Sequence, residues 1–185
     1  MLKELKKYLK NERKDSTIFD IIVYGSSVKG KLISNDVDIA VIFKEGSLKE
    51  RLSKIQEIKK KINIQKVIDI KGLLWEELFQ KEFFGRSGIF LEGISLFDDK
   101  LFSSKIGFKG EVIFIYNMID KTHTQKVKFN YILSGRNEKG IVKKLEGIRL
   151  APGVVQIPTK YSLEFESVLK MNNINYFTKK VLIEL

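Results

Sequence analysis

The stretch Tyr24-Gly-Ser-Ser-Val-Lys-Gly-Lys-Leu-Ile-Ser-Asn-Asp-Val-Asp-Ile-Ala-Val-Ile-Phe43 decides the fold. Ile18-Phe-Asp-Ile-Ile-Val-Tyr24 leads into it, an apolar, β-rich run stopped by Gly25, which reads as a buried strand. Asp36 to Phe43 reads as a second strand, and Ser26 to Lys31 as a short helix opening at Gly25-Ser26. Strand side chains alternate, so Asp36 and Asp38 must point to the same face. A plain hairpin would need only the glycines to turn. It would have no use for Ser26, or for two carboxylates sharing a face.

Those leftovers have complementary chemistry. Carboxylates at i and i+2 of a strand can share Mg²⁺, a cation that takes oxygen ligands and usually keeps substrate phosphates in its shell. Gly25-Ser26 directly follows a strand, where the missing side chain allows close approach and backbone N–H groups point at an anion. Ser26 adds a hydroxyl donor. One half of the stretch suits phosphate and the other suits metal.

The order Gly-Ser, spacer, Asp-x-Asp across strand, turn and strand resembles the nucleotidyltransferase superfamily typified by DNA polymerase beta. It looks most like the small prokaryotic branch, the minimal nucleotidyltransferases. Gly25-Ser26 and Asp36-Val-Asp38 match the signature, and Gly30 matches a glycine often found in the spacer. The spacer is about one residue shorter than the commonest version, and Asn35 stands where Ser or Thr is frequent. The resemblance implies a third carboxylate on a following strand, for which Asp69 in Lys66-Val-Ile-Asp-Ile-Lys71 is the candidate, with Asp20 as its rival. It further implies that Asp36, Asp38 and Asp69 are catalytic metal ligands for Mg²⁺ or Mn²⁺. Gly25, Ser26, Ser27 and Lys29 would hold the phosphates of a nucleoside triphosphate, with ATP favoured. The implied reaction moves a nucleoside monophosphate to an acceptor hydroxyl, on protein or RNA ahead of a drug. Small members often pair with a helical partner protein as antitoxins. The alternative is a nucleic-acid- or protein-binding module on an inactive scaffold.

The rest of the chain is consistent with one α/β (α+β) nucleotidyltransferase domain over residues 1–99. A mixed sheet flanked by helices is expected there, followed by a basic α+β extension over 100–185 whose role the sequence leaves open. Leu2, Leu5, Tyr8 and Leu9 share a face of a first helix over 2–14. Ser47 caps a helix to about Asn63, Val67 to Ile70 is a third strand, and a helix is expected from about Leu73 to Phe84. Gly85-Arg-Ser-Gly88 reads as punctuation. Beyond residue 100 the expectations are a strand over 111–116, helices over 124–133, 138–145 and 162–171, a turn and strand over 150–158, and a last strand over 176–183.

Composition narrows the remaining classes. The 185 residues hold 43% hydrophobic and 31% charged side chains with 2 prolines, a globular balance. The absence of cysteine removes disulfides and thiolate metal sites, and with one histidine, His123, zinc is not expected. Leu-Lys-Glu alternation at the start is amphipathic, with no signal-peptide core, and no apolar run reaches membrane-spanning length, so a cytoplasmic protein is expected. The net charge of +11 favours polyanions such as RNA or an acidic partner. Seven Lys and Arg residues between Lys126 and Arg149, interleaved with Phe129 and Tyr131, are compatible with a small winged-helix-like module, or with a solvated helical face over a small core. Arg86 could also reach phosphate, and Trp75 fits a packing face.

Overall fold

The structure is a computed structural model that describes residues 1–28 and 36–185, with the side chains of Ser26 and Ser27 outside the described part. The chain divides into two compact units, Met1–Gly107 and Phe108–Leu185.

The first unit is built on a four-stranded sheet in the order β3-β2-β1-β4. β1 (Ile18–Tyr24) and β2 (Asp36–Phe43) are antiparallel neighbours, as the two apolar runs lead one to expect. β2 then feeds α2 (Leu48–Lys61), which returns the chain to β3 (Val67–Leu74), parallel to β2. A parallel neighbour requires such a crossover. α2 starts where its sequence says it should. Ser47 Oγ accepts from the Glu50 N–H, and Glu50 Oε2 accepts from the Ser47 N–H at 2.8 Å, a reciprocal capping box. α1 (Leu2–Leu9), continued by a 3-10 turn over Lys10–Lys14, buries Leu5 and Leu9.

Both faces of the central strands are covered, so β1 and β2 are largely apolar rather than alternating, apart from Asp20, Asp36 and Asp38. One face places Ile21 and Val23 with Val37, Ile39, Val41 and Phe43, under Leu5 and Leu9 of α1 and Ile58 of α2. The other places Ile22 and Tyr24 with Ala40 and Ile42, under Ile89 and Phe90 of α3 (Arg86–Glu92) and Phe102 of α4 (Phe102–Lys105). β4 (Ile94–Ser95) closes the far edge against Ile22 and Val23.

Two expectations need correction here. The helix expected over 73–84 does not form. β3 runs on to Leu74, opposite Phe43, and only a 3-10 turn over Glu76–Phe79 follows. An eight-residue central strand must satisfy its N–H and C=O groups along its whole length, and β3 matches it residue for residue. Gly85-Arg-Ser-Gly88 is not a turn but the start of α3. A β-carbon on Gly85 would stand 2.7 Å from the Phe83 ring and 3.3 Å from the Tyr24 ring, and one on Gly88 3.3 Å from the Tyr24 ring, so these glycines serve close packing against aromatics.

The second unit has the order strand, helices, two strands, helix, strand. β5 (Phe108–Tyr116) leads to α5 (His123–Ser134) and α6 (Ile141–Lys144). The hairpin β6 (Ile148–Ala151) and β7 (Val154–Pro158) follows, then α7 (Ser162–Met171) and β8 (Tyr176–Glu184). The antiparallel sheet runs β6-β7-β5-β8. This is the split βαβ, ferredoxin-like arrangement. Val112, Phe114 and Tyr116 of β5 and Val155 and Ile157 of β7 meet Phe129 and Leu133 of α5 and Phe165 and Leu169 of α7. A winged-helix-like module is therefore not what the basic window builds. Arg149 instead binds Asn130 at 3.1 Å, Lys144 lies 3.7 Å from Glu138, and Arg136 stacks over Tyr131.

Candidate active site

The strand register of the first unit assembles the candidate site. Tyr24 pairs with Asp38 across β1 and β2, and Asp38 pairs with Asp69 across β2 and β3. Residues directly opposite one another share a face, so the three form one row across the sheet. Asp36 lies two residues before Asp38 and joins the same face. On β2 that face continues as Ala40 and Ile42, which are buried beneath the α3 side of the sheet. The acids thus occupy the first two positions of an inward-facing row, just where its apolar cover gives way to solvent. Asp36 is exposed, Asp38 half-buried, and the Asp69 side chain 56% exposed.

Gly25 closes the row from β1. Its φ of +79° belongs to the left-handed region that glycine tolerates, and a β-carbon there would lie 2.1 Å from Asp38 Oδ2. The chain leaves β1 through a 3-10 turn over Gly25–Val28. The backbone of Gly25 and the Asp38 carboxylate therefore adjoin, as a phosphate cradle beside a cation-binding acid would require. Lys29 lies outside the described residues.

Electrostatics within the row is unfavourable for an acid cluster standing alone. Partial burial, then the charges of Asp36 and Asp69, hold the Asp38 carboxyl above the usual range, with Lys71 partly offsetting them. Burial, with Asp38 and Asp69 beside it, pushes the Tyr24 phenol up to about 12, so it keeps its proton at neutral pH. Asp69 Oδ2 stands 4.0 Å from Lys71 Nζ. Among the described residues no set of three His, Asp or Glu side chains stands ready to hold one metal ion. The three carboxylates share a face, and Asp36 and Asp69 act on Asp38 without the three converging on one point. The donor set is all oxygen and carboxylate-rich, and the gap at Gly25 brings backbone close to Asp38, so these residues fit a hard divalent cation with phosphate ligands.

The other candidates resolve into packing. Asp20 is fully buried. It accepts from Ser95 Oγ at 2.9 Å and from the Ile21 N–H at 2.7 Å, and it pairs with Lys105 at 2.9 Å. That places it in a structural network distinct from the row. Arg86 donates to the Phe79 carbonyl at 3.0 Å. Trp75 packs on Phe19, Phe79 and Phe102 with ring centroids 5.0–6.1 Å apart. His123 is an exposed first residue of α5, behind the Thr122 cap. Tyr24 is the residue the sequence reading passed over. Its only signal in the sequence was its place just before Gly25.

No helix among the described residues is long and apolar enough to cross a membrane. No curated protein matches the chain. Among solved structures, a candidate nucleotidyltransferase from Sulfolobus solfataricus matches with 16% identity and a TM-score of 0.38, covering 51% of this chain and 78% of that one. The family described as polymerase beta, nucleotidyltransferase, matches residues 3–99, which take in β1 through β4 and every acid of the row. The chain belongs to that nucleotidyltransferase family.

Proposed function

We propose that the first unit transfers a nucleoside monophosphate from a nucleoside triphosphate to an acceptor hydroxyl, with Mg²⁺ held by Asp36, Asp38 and Asp69. The observation that carries this reading is the Tyr24–Asp38–Asp69 row with Gly25 against Asp38. A structural acid would be paired with a cation and packed, as Asp20 is. Asp38 instead carries a raised pKa from burial and from two like charges. A carboxyl with a raised pKa at the rim of an apolar face is a mark of a functional site.

When bound, the cation supplies charge neutralisation on the triphosphate and lowers the pKa of the attacking hydroxyl. The chain's residues do the rest. Backbone N–H groups of the turn from Gly25 would bind phosphate oxygens, and Asp36 and Asp38 would hold the cation that neutralises the triphosphate. The acceptor oxygen bonds to the α-phosphorus while the bond from that phosphorus to the α,β-bridging oxygen breaks, releasing pyrophosphate. The hydroxyl proton passes to the solvent-open Asp69 carboxylate and on to water. The protonated Tyr24 phenol, under the row, adds no further negative charge. The rate gain comes from positioning and from fixed charge at the developing pyrophosphate. ATP is the favoured donor. The acceptor is a protein or RNA hydroxyl, and an antitoxin-type role, modifying a helical partner, is the cellular setting that the resemblance to the small members suggests.

The test is Mg²⁺-dependent transfer of label from α-labelled ATP to protein or RNA. Asp36→Asn together with Asp38→Asn should abolish it. A doubly substituted chain that transferred label as fast as the wild type would remove this reading.

A further inference from the structure

The positive charge of the first unit is concentrated at its start. Residues 2–14 hold six basic and two acidic side chains, whereas residues 15–107 hold fifteen against fourteen. Of those six, Lys6 pairs with Asp99, and Arg13 binds Asp98 at 3.3 Å and the Phe97 carbonyl at 2.9 Å, tying the helix to the segment after β4. Lys3, Lys7, Lys10 and Lys14 are exposed, and among the described residues they have no carboxylate partner. Elsewhere in the unit, Arg51, Lys54, Lys61 and Lys105 are all engaged in ion pairs.

The four free lysines stand four, three and four residues apart, hence on one side of α1 and the turn that continues it. Like charges at these spacings repel, at a cost of a few tenths of a kcal/mol per pair. Lys3 in the first turn also opposes the helix dipole. The helix tolerates this because Leu5 and Leu9 anchor it to the core. Beside the stripe is a cavity of about 780 Å³ that the four lysines line and whose apolar wall is Leu9, Leu96 and Phe97. It lies by the early part of β1, since the Leu96 N–H bonds the Ile21 carbonyl, whereas the acid row begins at Tyr24.

We infer that this stripe and cavity form a binding track for single-stranded nucleic acid. Four unpaired lysines span roughly 19 Å by helical rise, enough to follow several consecutive phosphates. Half-buried Phe97 gives an unstacked base an aromatic contact, which an acidic peptide would not need. The track stands apart from the transfer chemistry, so binding persists in the Asp36→Asn/Asp38→Asn chain whether or not that chain has lost activity.

The test uses the full chain and a fluorescently labelled 15-nucleotide oligouridylate, followed by anisotropy across a salt series. Lys3, Lys7, Lys10 and Lys14, all changed to Gln, should weaken binding on the order of 100-fold at 0.1 M salt. The slope of log K against log salt should become shallower by about 3, from about 0.7 per single-strand phosphate contact. Gln keeps helix propensity and the positions are exposed, so circular dichroism should be unchanged; the matching Lys→Arg chain should bind as wild type. Unchanged affinity and slope in the Gln chain would overturn the inference. So would loss of binding in the Arg chain, or equal competition by polyglutamate of the same charge.

Discussion

A β-carbon on Gly25 would lie 2.1 Å from Oδ2 of Asp38, so only glycine leaves that carboxylate where the strand register puts it. The same residue holds φ at +79°, which an alanine adopts at a cost of about 1–2 kcal/mol. Gly25→Ala should therefore lower stability by roughly that amount, and should cut label transfer by about 100-fold or more because the acid must swing away. Denaturant titration beside the transfer assay separates the two. Activity that falls only as far as the folded fraction would show that Asp38 need not sit there.

The raised pKa of Asp38 has a sign that can be checked. A carboxyl whose pKa is higher folded than unfolded favours folding while it is protonated, and that contribution is lost as pH rises through the folded pKa. At neutral pH without divalent cation, Asp38 thus works against stability. Asp38→Asn should raise the melting temperature of the first unit by a few degrees in EDTA at pH 7, and the gain should shrink as the pH is lowered below 4. Mg²⁺ should stabilise the wild type and leave the variant unmoved. Equal Mg²⁺ shifts in both chains would separate the cation from this acid.

The parts of the fold set by local signals were readable, and the parts set by pairing were not. Ile18–Tyr24, Asp36–Phe43 and Ser162–Met171 form where apolar runs, caps and helical spacing place them. Leu73 and Leu74 show the limit. Their local pattern suits a helix, yet the edge of β2 holds them in a strand through contacts 31 residues away. Gly85 and Gly88 mislead likewise, because a glycine that makes room for an aromatic ring looks in sequence like one that turns the chain. In the site, the shared face of Asp36 and Asp38 follows from strand alternation alone. That Asp69 stands opposite Asp38, and Tyr24 on its other side, depends on register between strands, which periodicity does not carry.

Lys54 holds a second, purely structural acid pair. Its ammonium lies 2.9 Å from the buried Glu12 and 2.8 Å from Asp15, while Lys61 also reaches Glu12. The Lys54 and Thr17 hydrogen bonds hold the Asp15 carboxyl at about 2. A depressed carboxyl contributes stability above its unfolded pKa and loses it as pH falls through the folded value, so the window runs from about pH 4 to pH 2. Stability should fall there by about 1–2 kcal/mol on this account. Lys54→Met should remove most of that acid sensitivity and lower neutral-pH stability. An acid limb of unchanged depth in Lys54→Met would assign the loss to other carboxylates.

Asp20 and Asp69 invite a paired experiment, because both are acids on strands of the same sheet and only one belongs to the row. Asp20 is wholly buried and holds Lys105, Ser95 and a backbone N–H. Removing it leaves those donors short of an acceptor, although Lys105 keeps Asp98 at 2.9 Å. Asp20→Ala should cost about 3 kcal/mol, near the lower end of the range for breaking a buried pair. Asp69 touches little but the solvent-exposed Lys71, at 4.0 Å. Asp69→Ala should change stability by less than about 0.5 kcal/mol while removing transfer activity. The single tryptophan, Trp75, lies in the packing face of this unit and reports its unfolding by fluorescence. A destabilised Asp69→Ala, or an Asp20→Ala that is stable but inactive, would exchange the roles assigned to the two acids.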